Sequence, residues 1–377
     1  MDNNYTKKYK IPTIFEESIQ PGRTDRQLIA LDAGYSSIKV FAKNGYFAFP
    51  SFAKPVQGEL LQIAIPRDTD ILFREKGETW YVGDIAQRSV DVGDVNEKES
   101  SLFARNRYFS PMYRVLCLTG IAMGITNKLP VFVQTGLPPE YLDDDAEYVK
   151  DTIAGVHSFE LKIGRGDWKK YDFVIIKEHI RLISQPLGSL MSVIFDKAGK
   201  PAYQREFMQK NLCVLDPGFG TLDTFSFKNL AAQKSQTYSN FGMKAVLKKT
   251  IELLHKNVSL TEFQSCLETG EIEILDMRKM QTNSVPIENA LRTASRTILR
   301  SALEEVKASY NFFQGYDCII VTGGTGAAWF RGIKDHFSGM KSLKVIPVNH
   351  NDPEIPFIFG NVRGYYFFAL GLCDQWE

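Results

Sequence analysis

Two stretches of the chain share one pattern of hydrophobic and polar positions. Each has an apolar run that ends in aspartate, a glycine two residues later, small polar residues and a second, alternating run. They are residues 28–41 (LIALDAGYSSIKVF) and residues 212–227 (LCVLDPGFGTLDTFSF). Asp32 of the first therefore corresponds to Asp216 of the second. Each pattern predicts a strand, a tight turn and a second strand.

Both predicted turns have a composition that suits phosphate binding. Glycine or serine at the bends lets backbone N–H groups approach phosphate oxygens, and aspartate at a strand end can hold a divalent ion through its waters. A third glycine cluster, residues 321–328 (VTGGTGAA), follows the apolar run 318–321 and predicts a strand-to-helix junction beside a flat ligand. An ordinary hairpin explains either turn alone. The three segments together favour a nucleotide-binding protein.

The rest of the pattern alternates short strands with helices, which is typical of an α/β protein. Asn44 and Gly45 predict a hairpin turn between two strands. Ser110 and Pro111 predict the start of a helix, because serine caps the first turn and proline fits within it. The longest predicted helix covers residues 286–310.

Length and composition indicate how many domains the protein has and in which compartment we expect it. A chain of 377 residues suits two domains, and its formal net charge of +1 argues against general attraction to nucleic acids or membranes. The five cysteines show no CxxC pair, which is typical of reduced cysteines in a cytosolic protein. No apolar run is long enough to cross a bilayer, and residues 1–26 lack the apolar centre of a secretory signal. We therefore expect a cytoplasmic protein.

Two polar segments and the histidines are explained without a catalytic role. Residues 1–27 predict a partly ordered extension, with a terminal interaction arm as the alternative. The acidic run 143–145 predicts a solvated face near the positive end of a helix, with a metal site as the alternative. The five histidines show no metal-ligand spacing.

The three glycine-containing segments resemble, in this order, the phosphate and adenosine loops of the actin, heat-shock chaperone and sugar kinase ATPase superfamily. LDAGYSSIKV is similar to the first phosphate loop, VLDPGFGTLD to the second and VTGGTGAAWF to the adenosine loop. Within that superfamily, DPGFGTLD and the carboxyl-terminal NVRGYYFFAL are similar to the ParM type of bacterial plasmid-segregation actin. We expect the latter to form a last amphipathic helix packed on the amino-terminal domain.

The resemblance implies an α/β, actin-like two-domain fold, in which duplicated ribonuclease-H-like mixed sheets flank a nucleotide cleft. We expect domain I to comprise residues 28–200 and 357–377, and domain II to comprise residues 201–356. Residues 1–27 precede both as the polar extension.

The resemblance also implies the site residues. Asp32 and Asp216 would hold Mg²⁺ through water, and Gln185, at a strand-to-helix junction, would orient the attacking water. A hydrogen bond to neighbouring backbone is the alternative role for Gln185, and helix capping is the alternative for Gly242 and Lys244. The predicted nucleotide-binding residues are Gly34, Tyr35, Ser36, Ser37, Lys39, Gly218, Phe219, Gly220, Thr221, Asp223, Gly242, Lys244, Gly323, Gly324, Thr325 and Gly326.

The function that the resemblance implies is a polymerising ATPase that uses ATP, or alternatively GTP, with Mg²⁺. Its homopolymer filament would segregate plasmid DNA in the bacterial cytoplasm through a DNA-bound adaptor protein, without direct DNA or membrane binding. One alternative is a small-molecule kinase of the same superfamily, which needs a carboxylate base that Gln185 cannot supply. The other is a nucleotide-gated scaffold that does not hydrolyse ATP.

Overall fold

A computed structural model describes residues 4–58, 66–89, 108–229, 231–255, 258–276 and 280–372. The chain forms two compact units. Unit 1 combines Met1–Lys10 with Lys210–Pro347, and unit 2 combines Ile11–Gln209 with Val348–Glu377. The chain therefore passes from one unit to the other after Lys10, after Gln209 and after Pro347. It begins in unit 1 with the short helix α1 (Asn4–Lys7).

Unit 2 contains two sheets. Its strands are β1 (Ile14–Glu17), β2 (Gln27–Ala33), β3 (Ser37–Ala42), β4 (Gly45–Pro50), β5 (Ala53–Pro55), β6 (Ile71–Glu75), β7 (Glu78–Val82), β8 (Val131–Leu137), β9 (Gly155–Ile163), β10 (Lys169–Ile175) and β11 (Ile180–Ser184). The central sheet has the order β1-β4-β3-β2-β8-β11, and the second sheet has the order β10-β9-β6-β7-β5. Strands β2 and β8 are parallel neighbours and are buried along their whole length, as expected for strands covered on both faces.

Helices alternate with the strands of unit 2. They are α2 (Asp84–Arg88), α3 (Pro111–Gly124), α4 (Leu142–Ile153), α5 (Gln185–Ile194) and α6 (Gln204–Met208), with 3-10 turns at Pro139–Tyr141 and Lys177–His179. Helices α3, α4 and α5 pack on the central sheet, whereas α2 packs mainly on β7 and α6 packs on α5. Helix α3 starts as predicted, because the Ser110 hydroxyl accepts a hydrogen bond from the N–H of Tyr113. Gly120 lets α3 lie close to the sheet, since a Cβ there would be 3.0 Å from side-chain carbons of Leu31 and Ile38.

Unit 1 repeats the topology of the central sheet of unit 2. Its strands are β12 (Leu212–Pro217), β13 (Leu222–Lys228), β14 (Ala231–Tyr238), β15 (Glu271–Asp276), β16 (Gln281–Pro286), β17 (Cys318–Val321) and β18 (Lys344–Pro347). The order β14-β13-β12-β17-β18 matches β4-β3-β2-β8-β11, with antiparallel pairs first and parallel pairs last in both sheets. The predicted duplication is therefore confirmed.

The helices of unit 1 follow its strands in the same alternating way. They are α7 (Met243–Leu254), α8 (Leu260–Thr269), α9 (Glu288–Ser309) and α10 (Gly324–His336), with a 3-10 turn at Asn311–Phe313; β15 and β16 form a separate hairpin. The long helix predicted over residues 286–310 is confirmed as α9. The third glycine cluster lies, as predicted, where β17 leads into α10.

The last helix, α11 (Gly360–Leu372), follows a 3-10 turn at Phe357–Phe359 and packs on α5 within unit 2. The two helices touch at glycines, since a Cβ on Gly364 would overlap the carbonyl of Gly188. The buried guanidinium of Arg363 donates to the carbonyls of Ser192 (2.7 Å) and Asp196 (3.0 Å). This confirms the packing role expected for NVRGYYFFAL. Within the described ranges, no helix is both long and apolar enough to span a membrane.

Candidate functional site

The first hairpin, β2–β3, places Asp32 in a buried hydrogen-bonded cluster. Asp32 lies opposite Lys39 in the antiparallel register, and its side chain is 2% exposed. The Lys39 Nζ lies 3.0 Å from Asp32 Oδ2, and the Gln185 Nε2 donates to Asp32 Oδ1 at 3.2 Å. Both carboxylate oxygens therefore have a partner within unit 2. Gln185 reaches Asp32 because it is the first residue of α5, with Ser184 in the N-cap position.

The turn of this hairpin is fixed by Ser51, which the sequence analysis missed. The buried Ser51 hydroxyl donates to the carbonyl of Gly34 at 2.7 Å, and the Ser51 N–H donates to the carbonyl of Ser36 at 2.9 Å. Gly34 itself is tightly enclosed, because a Cβ there would lie 3.0 Å from the Lys39 ammonium. Ser51 holds the turn in one conformation, and no local pattern around it indicated that role.

The second hairpin, β12–β13, places Asp216 against the third glycine cluster. Asp216 is 6% exposed, and the turn after it is closed by the Gly218 N–H, which donates to the Thr221 carbonyl at 2.8 Å. Gly323 has φ of +78°, and a Cβ there would lie 2.3 Å from Asp216 Oδ1. The Thr325 hydroxyl donates to the Gly218 carbonyl at 2.6 Å. Segments more than 100 residues apart in sequence thus meet at Asp216, as the nucleotide-site prediction requires.

Asp223 lies opposite Asp216 in the β12–β13 register and supports the turn from behind. Its Oδ2 accepts from the Thr221 hydroxyl at 3.0 Å, and its Oδ1 accepts from the Thr237 hydroxyl at 2.5 Å. These contacts position Asp223 against the turn, and its predicted contact with nucleotide stays a prediction. Thr237 was missed, although the β13–β14 register pairs it directly with Asp223.

The predicted ligands Gly242 and Lys244 lie at the start of α7, next to the second turn. The Lys244 N–H donates to the Phe219 carbonyl at 2.8 Å, so this backbone donor is used within the protein. Gly242 is the N-cap, and a Cβ there would lie 2.6 Å from the same carbonyl. The observed backbone contacts of both residues are those of a capped helix start, and their predicted ligand role stays a prediction.

Each unit therefore gathers one set of the predicted residues. In unit 2 the set is Asp32, Lys39 and Gln185 with the turn containing Gly34, Tyr35, Ser36 and the adjoining Ser37. In unit 1 it is Asp216 and Asp223, the turn Gly218, Phe219, Gly220 and Thr221, and the cluster Gly323, Gly324, Thr325 and Gly326. Among the residues described, no three His, Cys, Asp or Glu side chains converge as direct metal ligands.

The chemistry of each set, taken by itself, suits phosphate oxygens and Mg²⁺. Asp32 and Asp216 supply buried carboxylate oxygens, the ligand type that Mg²⁺ prefers, and each stands beside a turn of small residues. Lys39 supplies a cation next to the first turn. Gly323 lets the backbone of the third glycine cluster pack directly against Asp216 and Pro217, because a Cβ there would overlap both residues.

Comparison with known proteins identifies the architecture. The family described as "Actin like proteins N terminal domain" matches residues 30–188. A pCBH ParM non-polymerisable quadruple mutant superimposes with a TM-score of 0.70 at 19% sequence identity, covering 91% of this chain and 99% of that one. The chain has the actin-like fold. No curated protein matches it in sequence.

Other actin-like structures agree with this assignment. The subunit of a 15-stranded ParM filament from Clostridium botulinum gives a TM-score of 0.68 at 19% identity, covering 92% of this chain and 99% of that one. The archaeal actin homologue Ta0583 gives a TM-score of 0.61 at 16% identity, covering 91% of this chain and 99% of that one. The actin-like resemblance drawn from the three loops is thereby confirmed, as is the ParM-like resemblance drawn from the second loop and the carboxyl-terminal segment.

Proposed function

We propose that this actin-like protein is an ATPase that forms filaments and hydrolyses ATP, or alternatively GTP, within them. The observation that carries the proposal is the cluster of Asp32, Lys39 and Gln185 at the first turn, together with Asp216, which lies at the equivalent position of the second hairpin beside Gly323. A buried acid beside a turn of small residues, present in each unit, suits binding of phosphate together with its metal ion.

The chain's own residues would act by positioning and by charge. Lys39 lies at the first turn, where its ammonium would offset negative charge that develops on phosphate oxygens. Asp32 fixes the amide orientation of Gln185 by accepting from its Nε2, which leaves Oε1 to accept a hydrogen bond from the attacking water. Mg²⁺, held through water by Asp32 and Asp216, would neutralise charge on the β- and γ-phosphates.

Slow hydrolysis in isolated subunits is expected from this set. Gln185 is not a base, and Asp32 is bonded to both Lys39 and Gln185, so neither is suited to remove a proton from water or from an acceptor hydroxyl. The same contacts disfavour the small-molecule kinase, which needs a carboxylate free to accept that proton.

Replacement of Gln185 with alanine tests the hydrolytic role. We expect phosphate release to fall by about 100-fold, because the water loses its orienting group, while ATP affinity changes by less than about threefold. Gln204→Ala, at an exposed position of α6, is the matched control and should leave both quantities unchanged. Undiminished phosphate release by the Gln185 variant would refute the assignment.

Measurements of ATP binding and phosphate release, on the unchanged protein and on Asp216→Ala, distinguish an ATPase from a scaffold. If the unchanged protein binds ATP in the presence of Mg²⁺ but releases no phosphate, the protein is the non-hydrolysing scaffold. If the unchanged protein turns over ATP, Asp216→Ala should abolish turnover because the second turn loses its acid.

Assembly into filaments is supported by the likeness to ParM structures, among them one solved as a filament. Pelleting and light scattering at protein concentrations above about 1 μM should show polymer with ATP and Mg²⁺ and little with ADP. A protein that stays monomeric under all these conditions would contradict the proposal. Plasmid segregation through a DNA-bound adaptor in the bacterial cytoplasm is the role proposed for such a filament.

A further inference from the structure

The glycine carbonyl that follows the buried aspartate is bonded in the same way in both hairpins. Gly34 and Gly218 occupy equivalent positions, each two residues after the acid. The Gly34 carbonyl accepts a hydrogen bond of 2.7 Å from the Ser51 hydroxyl. The Gly218 carbonyl accepts one of 2.6 Å from the Thr325 hydroxyl. Both hydroxyl-bearing side chains are buried, and each contact lies within one unit.

The two hydroxyls come from different elements of the duplicated sheets. Ser51 directly follows β4, whereas Thr325 lies in the first turn of α10. In the matched strand registers, Ser51 corresponds to the exposed Asn240 of unit 1. Thr325 corresponds to Pro139 of unit 2, which has no hydroxyl. The shared contact is therefore not a by-product of the duplication, because each unit makes it with a residue that the other unit lacks at that position.

A backbone donor holds a second carbonyl in each turn. In unit 2, the Ser51 N–H donates to the Ser36 carbonyl at 2.9 Å. In unit 1, the Lys244 N–H donates to the Phe219 carbonyl at 2.8 Å. Two carbonyls of the first turn are thus directed at Ser51, and two carbonyls of the second turn are directed at the starts of α7 and α10.

Fixing these carbonyls also fixes the direction of the N–H groups that follow them. In a planar trans peptide the C=O and the next N–H point in opposite directions, and no cis peptide bond occurs among the described residues. The N–H groups of Tyr35 and Ser37 therefore point away from Ser51. Those of Phe219 and Gly220 point away from the donors that hold the second turn. Because phosphate oxygens are attracted by N–H and repelled by C=O, a turn held in this way presents its donors to an anion.

We propose that Ser51 and Thr325 are positioning residues for the phosphates of the nucleotide, which act by holding the carbonyls of Gly34 and Gly218 away from the anion. The inference rests on the proposed nucleotide-binding function. It assigns Thr325 a role through Gly218, since the Thr325 hydroxyl proton is used in that bond and the side chain is 1% exposed. Loss of either hydroxyl loosens the carbonyl that it holds, so binding of the phosphates should weaken while binding of the nucleoside stays unchanged.

Titration of the full-length protein with ATP and with adenosine, each in the presence of Mg²⁺, tests the inference. Ser51→Ala should weaken ATP binding by about tenfold, because a buried carbonyl loses its hydroxyl partner. Thr325→Val keeps the shape of the side chain and should weaken ATP binding by about fivefold. Its effect is smaller because the Gly218 carbonyl keeps a 3.1 Å bond from the Met243 N–H. Adenosine affinity should change by less than about twofold in both variants.

Three further variants separate the hydroxyl from the packing around it. Thr325→Ser keeps the donor and loses only a methyl group, so its ATP affinity should stay within about twofold of that of the unchanged protein. Thr250→Val is the control for a buried threonine, because the Thr250 hydroxyl donates to the Val246 carbonyl at 2.8 Å within α7. Ser89→Ala is the control for Ser51, because the Ser89 hydroxyl donates to the Ile85 carbonyl at 2.7 Å. Both controls should leave ATP affinity unchanged.

The outcomes that would overturn the inference are distinct. Equal ATP affinity in Ser51→Ala, Thr325→Val and the unchanged protein would exclude the positioning role. Adenosine binding that weakens as much as ATP binding would also exclude it, as would Thr325→Ser binding ATP as weakly as Thr325→Val. If the unchanged protein binds no ATP, the proposed function itself fails and this inference fails with it. The unchanged protein alone therefore distinguishes the two failures.

Discussion

Replacement of Lys39 with methionine should destabilise unit 2 by leaving the Asp32 carboxylate without its cation. The two groups are 3.0 Å apart, and their side chains are 13% and 2% exposed, so solvent offers Asp32 little compensation. Removing one partner of a buried ion pair lowers the free energy of unfolding by about 3–5 kcal/mol. Because Asp32 keeps its hydrogen bond from Gln185, we expect a loss at the lower end, about 3 kcal/mol. At about 2–4 °C per kcal/mol, the Tm of unit 2 should fall by about 6–12 °C.

Scanning calorimetry on four proteins tests the cause of this loss. Lys39→Met with Asp32→Asn removes both charges and should recover to within about 1 kcal/mol of the unchanged protein, because no unpaired charge remains. Lys43→Met, at an exposed position just after β3, is the control and should shift the Tm by less than about 2 °C. If the double variant is as unstable as Lys39→Met, lost packing rather than an isolated charge explains the effect, and the reasoning fails.

Three further outcomes follow from particular residues. Gly323→Ala should weaken ATP binding by at least about tenfold in a titration, because the alanine Cβ would overlap Asp216 Oδ1 and the backbone at this position has φ of +78°. An ATP affinity equal to that of the unchanged protein would contradict the need for glycine. Phe312→Gly should raise the Tm of unit 1 by about 2–4 °C, because Phe312 has φ of +54° and is 58% exposed, so strain is relieved with little packing lost; an unchanged or lower Tm would count against that strain. Burial lowers the pKa of His157, so below about pH 6.5 the unfolded state takes up a proton that the folded state does not. The Tm of unit 2 should therefore fall between about pH 7 and pH 5, and His157→Gln should flatten that part of the profile.

Local patterns determined the elements and their chemistry. The run ending in Asp32, the serine cap of α3 and the strand-to-helix junction at Gly323 each depend on residues within a few positions, because periodicity and turn chemistry act over that range. The repeat of one pattern in residues 28–41 and 212–227 also predicted the duplicated sheet order, since the same local elements bury their apolar faces in the same way.

Contacts between distant residues were decided only by the tertiary structure. Ser51 holds the turn at Gly34, Gln185 meets Asp32 across 153 positions, and Tyr9 docks on Ser295 across 286 positions. No local pattern records these pairs, because a hydrogen bond between remote segments requires the packing of sheets and helices to bring both ends together. The sequence therefore determined which groups could form a nucleotide site, and packing decided which of them lie together and which remote residues hold them in place.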